Sequence, residues 1–192
     1  VYGTEHPEFG AGLRNLSLTV DGLGRVDEGI ALLRRTLELD LKRGDDDRLT
    51  RAITQNNLGF RLQRERRFAE AEPFLRESLA NYEHIDPKHP DRAAPLINLG
   101  SVLVETARAA EALPLLREGV ALREQNMQPG SWQLQTARNV LGACLVAVGQ
   151  ADEGRPLLQS SYEALLAKLG PEHKRTLEAK RRLDAANLVS AK

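Results

Sequence analysis

The amino-acid sequence predicts an all-α solenoid, built from antiparallel helix pairs that stack in chain order. Similar short segments recur every 41 or 42 residues, and they are Asn15-Leu16-Ser17, Asn57-Leu58-Gly59, Asn98-Leu99-Gly100 and Val140-Leu141-Gly142. A second set keeps the same interval, and it consists of Leu32-Leu33, Phe74-Leu75, Leu115-Leu116 and Leu157-Leu158. Aromatic residues make up only 4% of the chain, and the resulting core of leucine, alanine and valine favours helices. A fixed period of this length is typical of a repeat array.

The first repeat is predicted at about residues 7–44. Pro7 suits the first position of a helix, where the missing N–H leaves no hydrogen bond unmade. That helix should end near Gly22 or Gly24, because glycine readily takes the left-handed conformation found at helix ends. The second helix carries an apolar stripe with helical spacing, formed by Val26, Ile30, Leu33 and Leu37. Gly44 then closes the repeat.

Three further repeats are predicted at about residues 46–87, 88–130 and 131–170, followed by a capping helix at about residues 172–189. The first helix of the second repeat is predicted to place Ile53, Leu58 and Leu62 on its inward face. Leu183 lies 42 residues after Leu141, so the capping helix keeps the register of the first helices. Its outer face should be polar, because a terminal unit has no neighbour to cover it. The residues expected on that face are Lys180, Arg181, Arg182 and Asp184.

Proline recurs with the same period, at Pro73, Pro114 and Pro156. Proline deeper than the first turn of a helix costs about 3 kcal/mol or more. Each second helix is therefore predicted to begin only four or five residues earlier, or to bend at the proline.

Residues 1–6 are expected to be the tail of a preceding repeat. The segment from Val1 to Pro7 resembles the segment from Lys168 to Lys174, which follows the last full repeat. By that register, Val1 and Tyr2 would end a helix of an earlier repeat. The chain is therefore interpreted as a fragment of a longer protein.

Charge and cysteine content limit the class of protein. Lys plus Arg equals Asp plus Glu at 27 each, which disfavours a nucleic-acid partner because such proteins usually carry a basic surplus. The single cysteine, Cys144, excludes an intramolecular disulfide and fits a reducing compartment. No apolar run is long enough to span a bilayer. We therefore expect a cytoplasmic location.

The second repeat resembles the tetratricopeptide repeat family. The residues that carry the resemblance are Leu58, Gly59, Leu62, Phe68, Ala71 and Leu75. The usual period of that family is about 34 residues. A period of 41 or 42, with a connector at residues 89–93, is similar to the long-repeat subtype found in kinesin light chains and in many bacterial regulatory proteins. The resemblance covers essentially the whole chain and implies a right-handed superhelical array with a concave groove.

In that family the first helices line the groove, which receives an extended peptide or a partner helix. The resemblance carries this role to Arg14, Asn15, Leu18, Asn56, Asn57, Phe60, Gln63, Arg64, Asn98, Ser101 and Asn139. An asparagine amide offers both donors and an acceptor, so it can pair with the main chain of a ligand without reading its sequence. Two other roles stay open. The asparagines could instead cap helices or bridge neighbouring repeats, and Phe60 could belong to the core.

Two details qualify this picture. The small residue expected at the packing contact of each second helix is Ala71 or Ala112 in two repeats, but Gly29 or Gly154 in the others. Because glycine inside a helix costs up to about 1 kcal/mol relative to alanine, the first and fourth repeats should be the weaker ones. The basic run formed by Arg61, Arg64, Arg66 and Arg67 is interpreted mainly as a solvated helix end.

No catalytic, cofactor-binding or metal-binding residues are expected. The sequence contains no phosphate-binding loop, zinc-protease, nucleophile-elbow or dinucleotide motif. His6, His89 and His173 occupy one repeat position, too far apart in the chain to share a metal ion. Cys144 lies in an apolar helix and is expected to be a buried free thiol. We therefore predict that the chain is not an enzyme and needs no cofactor.

Two functions follow from this interpretation. The first is a protein-interaction scaffold that binds a peptide or partner helix, of unknown identity, in the concave groove. The alternative is a regulatory or self-association arm of a larger bacterial signalling protein, such as a kinase or a nucleotide-dependent regulator. A homo-oligomer could also form through the apolar surface of the first repeat.

Overall fold

The computed structural model describes residues 7–188, apart from the side chains of residues 7, 45 and 46. Within that range the chain forms nine α-helices and two short 3₁₀ segments, and it contains no strand. The all-α fold predicted from the repeat period is confirmed. The tail predicted at residues 1–6 lies outside the described residues.

The helices follow one another with short connections. They are α1 (Pro7–Gly22), α2 (Val26–Lys42), α3 (Arg48–Arg64), α4 (Phe68–Ile85), α5 (Ala93–Glu105), α6 (Ala109–Asn126), α7 (Trp132–Ala147), α8 (Ala151–Leu169) and α9 (Lys174–Leu188). The chain divides into two compact units, residues 1–89 with α1 to α4 and residues 90–192 with α5 to α9. In unit 1, α1 packs on α2, α2 on α3 and α3 on α4; in unit 2, the same order of contacts runs from α5 to α9.

The turn inside each helix pair has the same geometry in all four repeats. One residue takes the left-handed conformation, and these residues are Gly24, Arg66, Ala107 and Gly149, with φ of 78°, 56°, 60° and 85°. The N–H of the next residue donates to a carbonyl five residues earlier, as Arg67 does to Leu62 at 2.9 Å. This is the Schellman ending, which satisfies carbonyl groups left over at the end of a helix.

In the last three pairs, the two helices touch at a glycine of the recurring segment. The contacts are Gly59 with Leu75, Gly100 with Leu116 and Gly142 with Leu158. A Cβ at any of these glycines would come within 2.5–2.9 Å of the leucine side chain. Only glycine therefore allows the leucine to reach this depth, and Leu75, Leu116 and Leu158 are fully buried.

The proline prediction is confirmed. Pro73, Pro114 and Pro156 each lie five residues after the start of a second helix, at Phe68, Ala109 and Ala151. Each proline therefore lies in the second turn of its helix, near the N-terminus, where few backbone hydrogen bonds precede it.

The final helix, α9, packs on α7 and α8. Leu183 and Ala186 contact Leu158 in a small core that Ala143, Val146 and Tyr162 border. Lys180, Arg181 and Asp184 are exposed, as the sequence suggested. The expectation for Arg182 is wrong, because its side chain is only 8% exposed and its Nη2 lies 2.7 Å from the Glu178 carboxylate.

Candidate interaction surface

One face of α3 in unit 1 stays partly open to solvent. Its side chains are Ile53, Asn56, Asn57, Phe60, Gln63 and Arg64, and we call this set the α3 stripe. The six residues between them are buried, because that side of the helix packs against α2 and α4. Spacings of three and four residues place the whole stripe on one face of a helix. Ile53, which the sequence assigned to the inward face, belongs to the stripe.

Phe60 lies at the boundary between core and solvent. Its ring is half-buried, and the Arg64 guanidinium carbon lies 5.9 Å from the ring centroid. A cation over an aromatic face is attracted by the ring's electron density. The pair therefore presents an apolar and a cationic group side by side near the end of α3.

The neighbouring helix α1 exposes residues at matching repeat positions. Asn15 is exposed at the register of Asn57, and Leu18 is 63% exposed at the register of Phe60. An amide and an apolar side chain are thus available on both first helices of unit 1.

Arg14 has a different environment, because it is tied to a buried carboxylate. Its Nη1 lies 3.8 Å from the Asp40 carboxylate, whose side chain is completely buried. The Thr54 hydroxyl donates to Asp40 at 2.7 Å, and Arg43 approaches the same group at 3.3 Å. Burial raises the pKa of Asp40 above its ordinary value, although the Thr54 hydrogen bond and Arg14 act in the opposite direction. Arg14 therefore belongs to a polar cluster around Asp40 that connects α1 and α2 to Thr54 of α3.

The basic run at the end of α3 is not one solvated group, and that interpretation is wrong for Arg61. Arg61 is buried, and its Nη1 lies 2.6 Å from Asp21 Oδ1 of α1. Arg67 pairs with Glu70 through its Nε at 2.7 Å. The Arg61 ion pair connects α1 to α3 next to the α3 stripe.

The corresponding positions of unit 2 are more deeply packed. Asn98 is half-buried and Ser101 is 2% exposed. Asn139 is completely buried, where its amide donates to Ser161 Oγ at 3.0 Å and accepts from Arg182 at 3.4 Å. Ser101 and Asn139 therefore lack the solvent contact that a ligand requires. Asn139 has the bridging role that the sequence left open, since it connects α7 to α8 and α9.

His89, His173 and the cysteine have structural partners. Among the described residues, no group of three or more His, Cys, Asp and Glu side chains could hold a metal ion. The His89 ring lies 5.3 Å from that of Tyr82, and His173 Nδ1 accepts from the Arg175 N–H at 3.2 Å. Cys144 is buried, its thiol lies 3.2 Å from the Ala109 carbonyl oxygen, and burial raises its pKa to about 11.

The described helices include none with the length and apolar character needed to cross a membrane.

Comparison with protein families gives a match to the model described as Tetratricopeptide repeat. The match occurs twice, at residues 9–84 and at residues 50–125. The first match spans α1 to α4, and the second spans α3 to α6. No match is found among curated proteins.

Three solved structures resemble this chain in fold. The first is a Podosopora anserina protein assigned as a kinesin light chain with nearly identical TPR-like repeats, with a TM-score of 0.71 at 22% identity, covering 97% of this chain and 89% of that chain. BtubC (BKLC) from P. vanneervenii has a TM-score of 0.69 at 21% identity, covering 84% of this chain and 65% of that one. YrrB, described as a TPR protein with an unusual peptide-binding site, has a TM-score of 0.55 at 19% identity, covering 91% and 84%.

Proposed function

Because this chain belongs to the tetratricopeptide repeat family, we propose that it is a protein-interaction scaffold that binds an extended peptide or a partner helix along its first helices. The observation that carries this proposal is the α3 stripe, which six partly open residues form on a helix whose other side is buried. One of the similar folds, YrrB, is described as having a peptide-binding site. That description agrees with the proposal.

The chemistry of the stripe suits a peptide. Asn57 and, on α1, Asn15 can donate to and accept from the main chain of a ligand. Phe60 and Leu18 offer apolar contact, and aromatic anchors are common among the residues that dominate binding energy. Arg64 supplies a positive charge beside the ring, which favours an acidic side chain in the ligand.

A rigid scaffold also limits the cost of binding. The α3 side chains between the stripe residues are buried against α2 and α4, so the helix needs no ordering when a ligand arrives. A preformed surface loses less conformational entropy than one that folds on contact. Asn98 in unit 2 keeps the register of Asn57 and stays a predicted ligand contact, whereas Ser101 and Asn139 are left out of the proposal because they are buried.

The test begins with selection of peptides from a random display library against the whole chain. The affinity of a selected peptide is then measured by calorimetry for the wild type, Asn57→Ala and Phe60→Ala. We expect Phe60→Ala to weaken binding by at least about tenfold, as removal of a central anchor does. Asn57→Ala should weaken it less, because it removes one or two hydrogen bonds.

Phe74→Ala is the matched control. Phe74 lies on α4, is also half-buried, and has the Arg34 guanidinium carbon 5.6 Å from its ring centroid, so it reproduces the chemistry of Phe60 away from the stripe. The proposal is refuted if the selected peptides lose affinity equally for Phe60→Ala and Phe74→Ala. It is also refuted if the library yields no binding peptide.

Self-association is a second candidate function, and the surface of α1 favours it. Phe9, Leu16 and Leu18 of α1, and Leu23 directly after it, are 37%, 46%, 63% and 69% exposed. Exposed apolar groups clustered on one element often mark an interface. If α1 mediates a dimer, Leu23→Lys should convert it to a monomer in light scattering coupled to gel filtration. Leu188→Lys, at a residue 71% exposed on α9, should leave the mass unchanged.

A further inference from the structure

The loop between α6 and α7 in unit 2 is surrounded by three cations from three different helices. Arg123 of α6 donates from Nη1 to the carbonyl oxygen of Gln133. Lys168 of α8 donates from Nζ to the carbonyl oxygen of Gly130 at 3.1 Å. Arg175 of α9 lies over the Trp132 ring, with its guanidinium carbon 4.0 Å from the ring centroid. Residues 130–133 thus bring three positive charges and an indole together.

Two of these cations have no carboxylate partner among residues 7–188. Arg123 forms no ion pair there, and its Nε is buried without a hydrogen-bond acceptor. Over the same described residues, Lys168 contacts this backbone oxygen and no carboxylate. Glu124, the residue after Arg123, is held by Arg138, with Nη2 and Oε1 2.7 Å apart. Glu124, the acid nearest to Arg123 in sequence, is therefore already paired with Arg138.

The electrostatic consequence is visible at Arg123. Burial, together with the positive charge of Arg175, lowers the pKa of Arg123 to about 10. A buried cation without a counter-charge is unfavourable. An anion beside Arg123 would offset both the cost of burying its charge and the repulsion from Arg175. Guanidinium groups bind oxyanions with two parallel hydrogen bonds, which makes arginine the usual residue for such sites.

From this arrangement we propose that Arg123, Lys168, Arg175 and Trp132 form a binding site for an oxyanion carried by a peptide, either a phosphate group or a carboxylate. We call it the Trp132 site. Arg175 and Lys168 would pair with the anion, Arg123 would supply charge from behind, and the Trp132 ring would hold Arg175 in place. The site lies in unit 2, and it uses no residue of the α3 stripe.

Trp132 is the only tryptophan in the chain, so its fluorescence reports on this site alone. The whole chain is titrated with inorganic phosphate and, separately, with acetate, each against sodium chloride at matched ionic strength. We expect a saturable change in Trp132 emission, because an anion that binds Arg175 changes the electrostatic environment of the indole ring below the guanidinium. We also expect phosphate to raise the Tm more than chloride does, as any ligand of the folded state must.

Variants identify the residues involved. Arg175→Gln and Lys168→Gln should each weaken phosphate binding at least tenfold and remove the extra rise in Tm. Arg108→Gln is the control, since Arg108 is an exposed arginine of unit 2 that pairs with Glu111. Arg123→Gln is a less suitable variant, because Arg123 also holds the Gln133 carbonyl and its loss could unfold the loop.

Two short peptides that differ only at one residue, phosphoserine or glutamate, distinguish the sources of the anion. The peptide that binds more tightly identifies phosphate or carboxylate as the natural group. The Trp132 site is refuted if phosphate and acetate give no saturable change beyond chloride, or if Arg175→Gln binds phosphate as the wild type does. Failure of the peptide selection on the α3 stripe would not produce either result.

Discussion

A Cβ atom on Gly154 would lie 2.6 Å from the carbonyl oxygen of Gly142, so the backbones of α7 and α8 are in direct contact at this pair of glycines. The sequence suggested only that Gly154 weakens the fourth repeat, because glycine is a poor helix former. The structure shows that glycine is also required there by the space available. The conformational cost of Gly154 is therefore offset by closer packing of the two helices.

Gly154→Ala should destabilise the protein by about 1–2 kcal/mol. Overpacking costs roughly 1–3 kcal/mol, and alanine returns roughly 0.5–1 kcal/mol of helix propensity. The free energy of unfolding from urea titration measures the difference. Gly12→Ala is the control, since a Cβ at Gly12 in α1 would meet nothing within 4 Å. That variant should gain roughly 0.5–1 kcal/mol. The same sign for both variants would contradict the steric explanation.

Ala107→Gly should stabilise unit 2. Ala107 holds the left-handed conformation with φ of 60°, which costs an L-residue with a side chain roughly 1–2 kcal/mol. Glycine removes that strain but adds entropy to the unfolded chain, so we expect a net gain of about 0.5–1 kcal/mol. Ala121→Gly, at an exposed position inside α6, should instead lose about 1 kcal/mol. Thermal unfolding followed by circular dichroism would separate the two, and a loss of stability in Ala107→Gly would argue against the turn geometry.

Asp40→Asn should change how stability depends on pH. Burial raises the folded-state pKa of Asp40 above its ordinary value of 3.8, so the fold favours the neutral carboxyl. Its contribution to stability is then greatest below that value and falls as pH rises through the folded pKa. The Tm of Asp40→Asn, relative to wild type, should accordingly increase from acid to neutral pH. A difference in Tm that stays constant across this range would show that Asp40 does not titrate as proposed.

Asn139→Ala and Asn57→Ala should have different effects on stability. Asn139 is buried, and its loss would leave Ser161 Oγ and Arg182 without a partner they now share. An unsatisfied buried group costs about 1–3 kcal/mol, so Asn139→Ala should lose that amount. Asn57 is half-buried, and substitution there should cost less than about 1 kcal/mol. Urea unfolding of both variants provides the comparison, and equal losses would mean that Asn57 is structural too.

The Cys144 thiol should resist alkylation in the folded protein. It is completely buried, and burial raises its pKa to about 11, which leaves little of the reactive thiolate at neutral pH. Mass spectrometry after treatment with iodoacetamide should therefore find modification only in denaturant. Ser160→Cys, at an exposed position on α8, should react in the folded state. Rapid labelling of Cys144 without denaturant would indicate that α7 opens readily.

The sequence predicts the helix pairs because their determinants repeat along the chain. The recurring leucines, glycines and prolines each have one local role, and the same role returns in the second, third and fourth repeats. The left-handed turn residues are harder to recognise. Glycine marks the turn at Gly24 and Gly149, but Arg66 and Ala107 adopt the same conformation without any such mark. The N–H groups of Arg67 and Arg108 close those two turns by donating to Leu62 and Leu103.

The candidate surface is less predictable, because register does not show what covers a position. Asn56 and Asn139 occupy the same repeat position, yet the first is partly open and the second is buried, with Arg182 of α9 donating to its amide oxygen. A long side chain from another helix contributes to that difference, and a repeat period contains no such information. The Trp132 site likewise combines cations from three helices that no single motif connects.

The contact between glycine and leucine inside the last three helix pairs also bears on where the chain can change in length. Sixteen residues separate Gly59 from Leu75, Gly100 from Leu116 and Gly142 from Leu158. The interval from the leucine to the next glycine varies instead, with 25 residues after Leu75 and 26 after Leu116. An inserted residue within a pair would rotate the leucine away from its glycine by about 100°. Insertions and deletions should therefore be tolerated in the connectors between pairs and excluded from the hairpins themselves.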